Sequence, residues 1–164
     1  MPTIHKISMD ISEDAVSLIA IHSSLEDYAL AYAINQSLKS SFKRTLSDLE
    51  MAENVSFPIF DWKNKVNDEY WTLITNSQIT KEESNEGGLF INEPLHKRHH
   101  LIPEHKEVDY FLRIEPETIS DIEQILKLIL TIPKVLTAYT VDSTELKSKN
   151  NLIFEECQVK KRRR

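Results

Sequence analysis

Twice in this chain, a strand pattern is followed directly by a helix pattern, and this repetition limits the folds that the chain can adopt. The apolar run AVSLIAIH at 15–22 indicates a central strand buried on both faces, and residues 23–39 then show helical spacing. Residues 108–114 alternate like a strand, and residues 116–133 again show helical spacing, which Pro133 ends. Units of this kind place helices on the face of a sheet.

The residues around these two units indicate further strands. The predicted strands are 5–11, 42–49, 55–62, 69–76 and 134–142. Two of them, 55–62 and 69–76, flank a turn and therefore predict a hairpin. This order predicts an α+β fold, with a mostly antiparallel sheet and two main helices packed on one face. A ferredoxin-like core with an inserted hairpin is one version of this fold.

The start of the first helix has two candidate capping boxes. Ser23 with Glu26, or Ser24 with Asp27, has the spacing at which a hydroxyl and a carboxylate satisfy the first N–H groups of a helix. Capping therefore explains both serines without a nucleophilic role. The predicted buried stripe of this helix consists of Leu25, Tyr28, Ala29, Tyr32 and Gln36, with Leu30, Ile34 and Leu38 beside it.

The length of 164 residues fits one domain, and we expect a single α+β domain over 1–154. The formal net charge is −6, and the last five residues carry five positive charges, which leaves −11 on the rest. An acidic body repels nucleic acid, because contacts with a polyanion require Lys and Arg. We predict that 155–164 form a basic, disordered tail. Its cations are Lys160, Lys161, Arg162, Arg163 and Arg164.

Composition also limits the cellular compartments and the cofactors that can be expected for this chain. The single cysteine, Cys157, cannot form an intramolecular disulfide, and the first residues show no signal-peptide pattern. No apolar stretch has the length of a transmembrane helix, so we expect a cytoplasmic protein that does not enter membranes. With only two glycines, Gly87 and Gly88, the chain lacks the glycine-rich loops that bind nucleotide phosphates. We expect no cofactor.

The segment 77–99 is polar and is interrupted by both glycines and by Pro94. This composition predicts a long irregular loop, and functional loops often have this character. The loop leads into the stretch HHLIPEHKEVDYFLRIE at 99–115, where several groups able to carry chemistry come together.

Two kinds of site can be weighed in this stretch. The candidate metal ligands are His96, His99, His100 and His105. A zinc site needs three or four converging ligands, and the loop or strand character indicated by Pro103 does not make these histidines converge, so we expect no metal. Glu104 and Asp109 could form an acid/base pair, but no nucleophile or oxyanion motif accompanies them. A simpler prediction is that they tie the entry loop to neighbouring backbone N–H groups.

The same stretch resembles a known family signature. Ile102-Pro103-Glu104, followed after three residues by Val108-Asp109-Tyr110, is similar to the motif for which the IPExxxVDY family of Bacteroidota is named. The stretches LIAIHSSLEDYALAYAIN, GLFINE and LKSKNNLIF look similar to family sequence too, so the resemblance covers most of the chain. It implies no catalytic residue, cofactor or partner, because the family has none assigned.

These observations predict a cytoplasmic binding or adaptor module without catalytic activity, which engages a protein partner through 77–99 and 100–110. The candidate contact residues are Ile102, Pro103, Glu104, Val108, Asp109 and Tyr110, with His22, Ser23 and Ser24 at the end of the central strand. Two alternatives stay open. One is an RNA-associated accessory protein that uses the basic tail, and the other is an enzyme that uses Glu104 and Asp109.

Overall fold

A six-stranded antiparallel sheet organises the protein. The computed structural model describes residues 16–52, 54–82, 95–115 and 121–152. The sheet has the order β10-β1-β9-β6-β5-β2, and each neighbouring pair in it is antiparallel. Its strands are β1 (Ser17–Ser23), β2 (Lys43–Arg44), β5 (Ile59–Asn64), β6 (Glu69–Thr75), β9 (Tyr110–Glu115) and β10 (Val135–Val141).

Two antiparallel strand pairs and two helices complete the described part of the chain. The first pair joins β3 (Leu49–Ala52) to β4 (Val55–Phe57), and the second joins β7 (Ser77–Glu82) to β8 (Leu95–His100). The helices are α1 (Asp27–Leu38) and α2 (Ile122–Leu130). No described helix has both the length and the apolar character needed to cross a bilayer.

Both helices pack on one face of the sheet, as expected from the two strand–helix units. Ile19 and Ile21 of β1 and Leu112 of β9 point to this face, where they form one apolar core with Leu30 of α1 and Ile129 of α2. The predicted α+β fold, with its mostly antiparallel sheet, is therefore confirmed. The strand order is compatible with a ferredoxin-like core, and that finer classification stays a prediction.

The opposite face of the sheet is also covered, which explains why the middle of β1, from Leu18 to Ile21, is apolar at every position. Leu18 and Phe111 point to this face and are fully buried in a second core. The residues that cover them come from β3, β4, the segment 101–108 and the turns after β10, namely Leu49, Val55, Phe57, Leu101, Ile102, Val108, Leu146 and Leu152. A strand between two covered faces leaves little room for a solvated side chain, and within β1 only His22, near its end, is partly exposed.

The hairpin predicted around the turn 64–68 is confirmed as β5 and β6. Trp62 and Trp71 are direct cross-strand partners, and their ring centroids lie 5.4 Å apart in an edge-to-face arrangement. Phe42 packs against both rings. Such aromatic pairs stabilise a hairpin beyond the area that they bury.

Several local predictions were wrong. Neither predicted capping box forms, because α1 begins at Asp27 with Glu26 as its N-cap and without a side-chain cap hydrogen bond. Tyr28 and Tyr32 of the predicted stripe are exposed, whereas Leu30 and Ile34, which were predicted to lie beside it, are buried together with Ala31.

The segment 77–99 was predicted to be an irregular loop, but its two ends form the paired strands β7 and β8. The predicted strand 42–49 is reduced to the two residues of β2 and the first residue of β3. The predicted strand 5–11 and the tail 155–164 lie outside the described residues.

We expect Phe111→Ala to lower the free energy of unfolding by about 3–5 kcal/mol, because it removes a fully buried ring from the second core. Urea denaturation measures this loss. The control is Leu46→Ala, whose side chain is 94% exposed and whose replacement should change stability by less than about 0.5 kcal/mol. A loss near that of the control would contradict a second packed core.

Candidate functional site

Asn76 holds the segment that carries the IPExxxVDY-like motif. It lies between β6 and β7, and its side chain is 0% exposed. Its side-chain oxygen accepts a hydrogen bond from the Ile102 N–H at 2.8 Å, and its amide nitrogen donates to the carbonyls of His105 at 2.8 Å and Val108 at 2.9 Å.

The Asn76 backbone adds two hydrogen bonds to the same segment. Its N–H donates to the Asp109 carbonyl at 2.9 Å, and its carbonyl accepts from the Leu101 N–H at 2.8 Å. We call these five hydrogen bonds the Asn76 clamp. A buried amide is stabilising when its partners are present, and the clamp gives Asn76 a partner for each polar atom.

The apolar residues of the motif pack in the second core. Ile102 and Val108 are buried there, and between them Pro103 begins a short 3-10 turn, Pro103–His105. The ring of a proline fixes φ at a value that suits the first position of a helical turn, and its missing N–H is not needed there. The His105 N–H donates to the Ile102 carbonyl at 3.1 Å, which closes this turn.

The two carboxylates of the motif tie it to two different segments. Glu104 Oε2 accepts from the Ser148 hydroxyl at 2.9 Å, in the turns that follow β10. Asp109 Oδ2 accepts from the backbone N–H of Ser23 at 2.9 Å, at the end of β1. The tie to a backbone N–H that the sequence predicts is confirmed for Asp109, whereas Glu104 binds the Ser148 hydroxyl and lies 3.4 Å from the Ser148 N–H. The two carboxylates therefore have separate partners rather than a shared acid/base position.

Tyr110, the last residue of the motif, anchors the turn between β1 and α1. Its hydroxyl donates to the Leu25 carbonyl at 2.6 Å. Burial raises the pKa of this hydroxyl, and the charges of Asp27, Glu26 and Asp109 raise it further. The neutral, hydrogen-bonded form is therefore the one that the folded protein favours.

Ser23 and Ser24 contact the start of β10. The Ser23 hydroxyl donates to the Lys134 carbonyl at 2.9 Å and accepts from the Leu25 N–H at 3.1 Å. The Ser24 N–H also reaches the Lys134 carbonyl, at 3.4 Å. Asp109 and Tyr110 thus meet the end of β1, as sequence reasoning suggested, whereas the partner of Glu104 lies elsewhere.

His22 lies in a more open position near the same end of β1. A ring nitrogen of His22 lies 3.0 Å from the Tyr139 hydroxyl. The side chain of Glu107 lies 3.5 Å from His105, and it also interacts electrostatically with His22. The pKa of Glu107 is lowered, chiefly by a hydrogen bond from its own backbone and then by His105 and His22, while burial acts in the opposite direction. These side chains form a polar surface beside β10.

The paired strands β7 and β8, which we call the ribbon, are attached to the clamp. β7 begins directly after Asn76, and β8 ends directly before Leu101, so the clamp joins the two strands at their base. Cross-strand partners share a face, and the pairs Ile79–Arg98 and Lys81–His96 lie on one face together with Ser77 and His100.

This basic face, defined by Ser77, Ile79, Lys81, His96, Arg98 and His100, contains no carboxylate. On the other face Lys97 approaches Glu82 at 4.0 Å, and Thr80 contacts His99 at 2.8 Å. Burial lowers the pKa of His100, and the positive charges of Lys106, Arg98 and His99 lower it further. Lys106 and Arg98 therefore lie close enough to the base of the ribbon to act on His100.

The candidate metal ligands of this region do not assemble. His96 and His99 lie on opposite faces of β8, since they are three residues apart in a strand, and His105 is in the 3-10 turn. Among the residues that the structure describes, no group of three or more His, Cys, Asp or Glu side chains is placed to hold a metal ion.

Neither Asn76 nor the basic face was predicted from the sequence. An asparagine at the end of the predicted strand 69–76 was the available signal for the first. The stretch LHKRHH, read at period two with SQITKE, was the signal for the second. Comparison with known proteins adds no relative, since no family model, curated protein or solved structure matches the chain. The resemblance to the IPExxxVDY family stays a prediction that rests on the motif.

We expect Asn76→Ala to lower the free energy of unfolding by about 4 kcal/mol, because it removes three hydrogen bonds and leaves the buried Ile102 N–H and the Val108 carbonyl without the partner that Asn76 supplies. Urea denaturation at neutral pH measures the effect. Asn64→Ala is the matched control, because Asn64 is only half-buried at the edge of a turn, and its loss should cost about 1 kcal/mol at most. Equal losses for the two variants would refute the clamp.

Tyr110→Phe should lower stability at neutral pH by about 1 kcal/mol, because the Leu25 carbonyl loses its donor. The pKa of Tyr110 is raised in the folded state, so its contribution is complete below the unfolded pKa near 10 and is lost as pH rises above it. Urea denaturation from pH 7 upwards should therefore show a steeper alkaline loss for the wild type than for Tyr110→Phe. The exposed Tyr28→Phe should keep the wild-type slope, and a common slope for all three proteins would contradict this assignment.

Proposed function

We propose that this chain is a non-catalytic binding module, and that it engages an acidic protein partner through the basic face of the ribbon. The observation that carries this proposal is the ribbon itself, in which Lys81, His96 and Arg98 share one exposed face without a carboxylate. A single-signed surface of this kind attracts and orients an oppositely charged partner.

The rest of the chain strengthens this preference for one face. The formal net charge is −6, so an acidic partner is repelled by the molecule as a whole and attracted by the few places where cations gather. Ile79, 52% exposed in the middle of the basic face, would supply an apolar contact between the charges. Exposed Lys106, next to the base of the ribbon, extends the positive region toward the motif.

The motif then has a supporting role in binding. Ile102 and Val108 are buried, and Glu104, Asp109 and Tyr110 are engaged in internal hydrogen bonds. The sequence suggested the region 100–110 as a contact surface. In this proposal its residues instead hold the segment that follows the ribbon, and the ribbon meets the partner. A ribbon fixed at its base loses less conformational entropy on binding than a free loop does.

A second candidate function is association with RNA, and the same basic face supports it. Lys81 and Arg98 could contact phosphate groups, and the cations at 160–164 would add an attraction that is independent of sequence. The acidic remainder of the chain opposes contact with a polyanion, so we place the acidic protein first. Both functions fit a cytoplasmic location, which the single cysteine favours.

Affinity capture from native lysate, with two matched variants, tests the proposal. Arg98→Glu and Lys97→Glu change neighbouring residues by the same charge, but only Arg98 lies on the basic face. We expect the wild type to capture a stoichiometric acidic protein, Arg98→Glu to reduce its recovery about tenfold, and Lys97→Glu to reduce it far less.

Three results would count against the proposal. The absence of a stoichiometric partner would refute it, and so would equal recovery with the two variants. Loss of the captured material on ribonuclease treatment, together with a steep decrease in binding with salt, would support the RNA-associated function instead.

A further inference from the structure

The two edges of the six-stranded sheet differ in a way that bears on self-association. At one edge, β2 has two residues, Lys43 and Arg44, which are exposed and charged. At the other edge, β10 has seven residues, VLTAYTV, with no charge and no proline. Short or charged edge strands resist pairing with another chain, whereas long uncharged ones invite it.

We propose that β10 pairs with β10 of a second copy of this chain, antiparallel and around a two-fold axis at Ala138. Within the described residues β10 pairs with β1 alone, so its outer N–H and C=O groups face away from the sheet. A two-fold axis makes the interface self-complementary, because the same strand supplies both sides. The two six-stranded sheets become one continuous sheet.

The sequence of β10 fits this symmetry. An axis at Ala138 places Thr137 opposite Tyr139 of the other copy, and Leu136 opposite Thr140. Beyond the strand, Lys134 of one copy comes to the same end as Asp142 of the other. Pairs of opposite charge stabilise antiparallel strands, and this arrangement brings no like charges together within the seam.

A bulge in β10 exposes a leucine that the second copy would contact. The pairing with β1 shifts between Ser23–Val135 and His22–Thr137, so Leu136 is the extra residue, and its side chain is 79% exposed. Bulges often protect an edge, but they also redirect a side chain, and here the redirected side chain is a leucine. Leu130, the last residue of α2, is 47% exposed on a helix that packs against β10.

The start of β10 is held in place before any partner arrives. The Lys134 carbonyl accepts hydrogen bonds from the Ser23 hydroxyl and from the Ser24 N–H. The His22 ring and the Tyr139 hydroxyl connect the middle of the strand to β1. An edge that is already ordered loses little conformational entropy when a second strand is added.

Sedimentation velocity on the full chain over a wide range of concentrations tests this proposal. We expect a concentration-dependent dimer for the wild type. Leu136→Lys should raise the dimer dissociation constant about 100-fold, because each dimer carries the substitution twice. Leu46→Lys makes the same chemical change at another highly exposed leucine, near the opposite edge, and it should leave the dimer intact.

Each remaining outcome overturns the proposal. A wild type that is monomeric at all concentrations excludes the dimer, and a dimer that Leu136→Lys leaves unchanged uses another surface. Hydrogen exchange on the dilute monomer completes the test. Protected outer amides of β10 in that monomer would mean that residues of the same chain cover the edge, and the second copy would then have no place there.

Discussion

The buried side chain of Asn76 is the interaction on which the rest of the structure depends. Three parts of the fold meet there, because β6 ends directly before Asn76, β7 begins directly after it, and the segment 101–109 wraps around it. A buried amide with all its partners is favourable, and one without them is expensive. The clamp therefore fixes one conformation of the segment, and this conformation places Ile102 and Val108 in the second core.

The same clamp connects the motif to the surface that we propose for binding. Leu101 leaves β8 and donates to the Asn76 carbonyl, so the two strands of the ribbon are joined where they leave the sheet. The motif residues are thereby accounted for by internal contacts, while the exposed cations lie on the ribbon beyond them. The β10 edge is a separate surface, held through Ser23 and Lys134, so the two proposed interactions can be tested independently.

The sequence predicted the fold class well, because burial on two faces and helical spacing leave strong patterns in β1, β9 and α2. The predictions from the sequence failed where several polar groups compete for one hydrogen-bonding partner. The Ser23 hydroxyl was expected to cap α1, but the Lys134 carbonyl and the Leu25 N–H, which only the folded chain brings near, engage it instead. Residues 77–99 were predicted to be a loop because a ribbon exposed on both faces needs no apolar alternation. The motif is visible in the sequence, but Asn76, which holds the segment that carries it, is distant in sequence.

Hydrogen exchange at the Ile102 amide tests the clamp most directly, because this N–H donates to the side chain of Asn76 rather than to a neighbouring strand. If the clamp is part of the folded core, the Ile102 amide opens with the same free energy as the central amides of β9, and only on global unfolding. Exchange of the Ile102 amide through local opening, while β9 stays protected, would show that the segment is held weakly and would contradict the account.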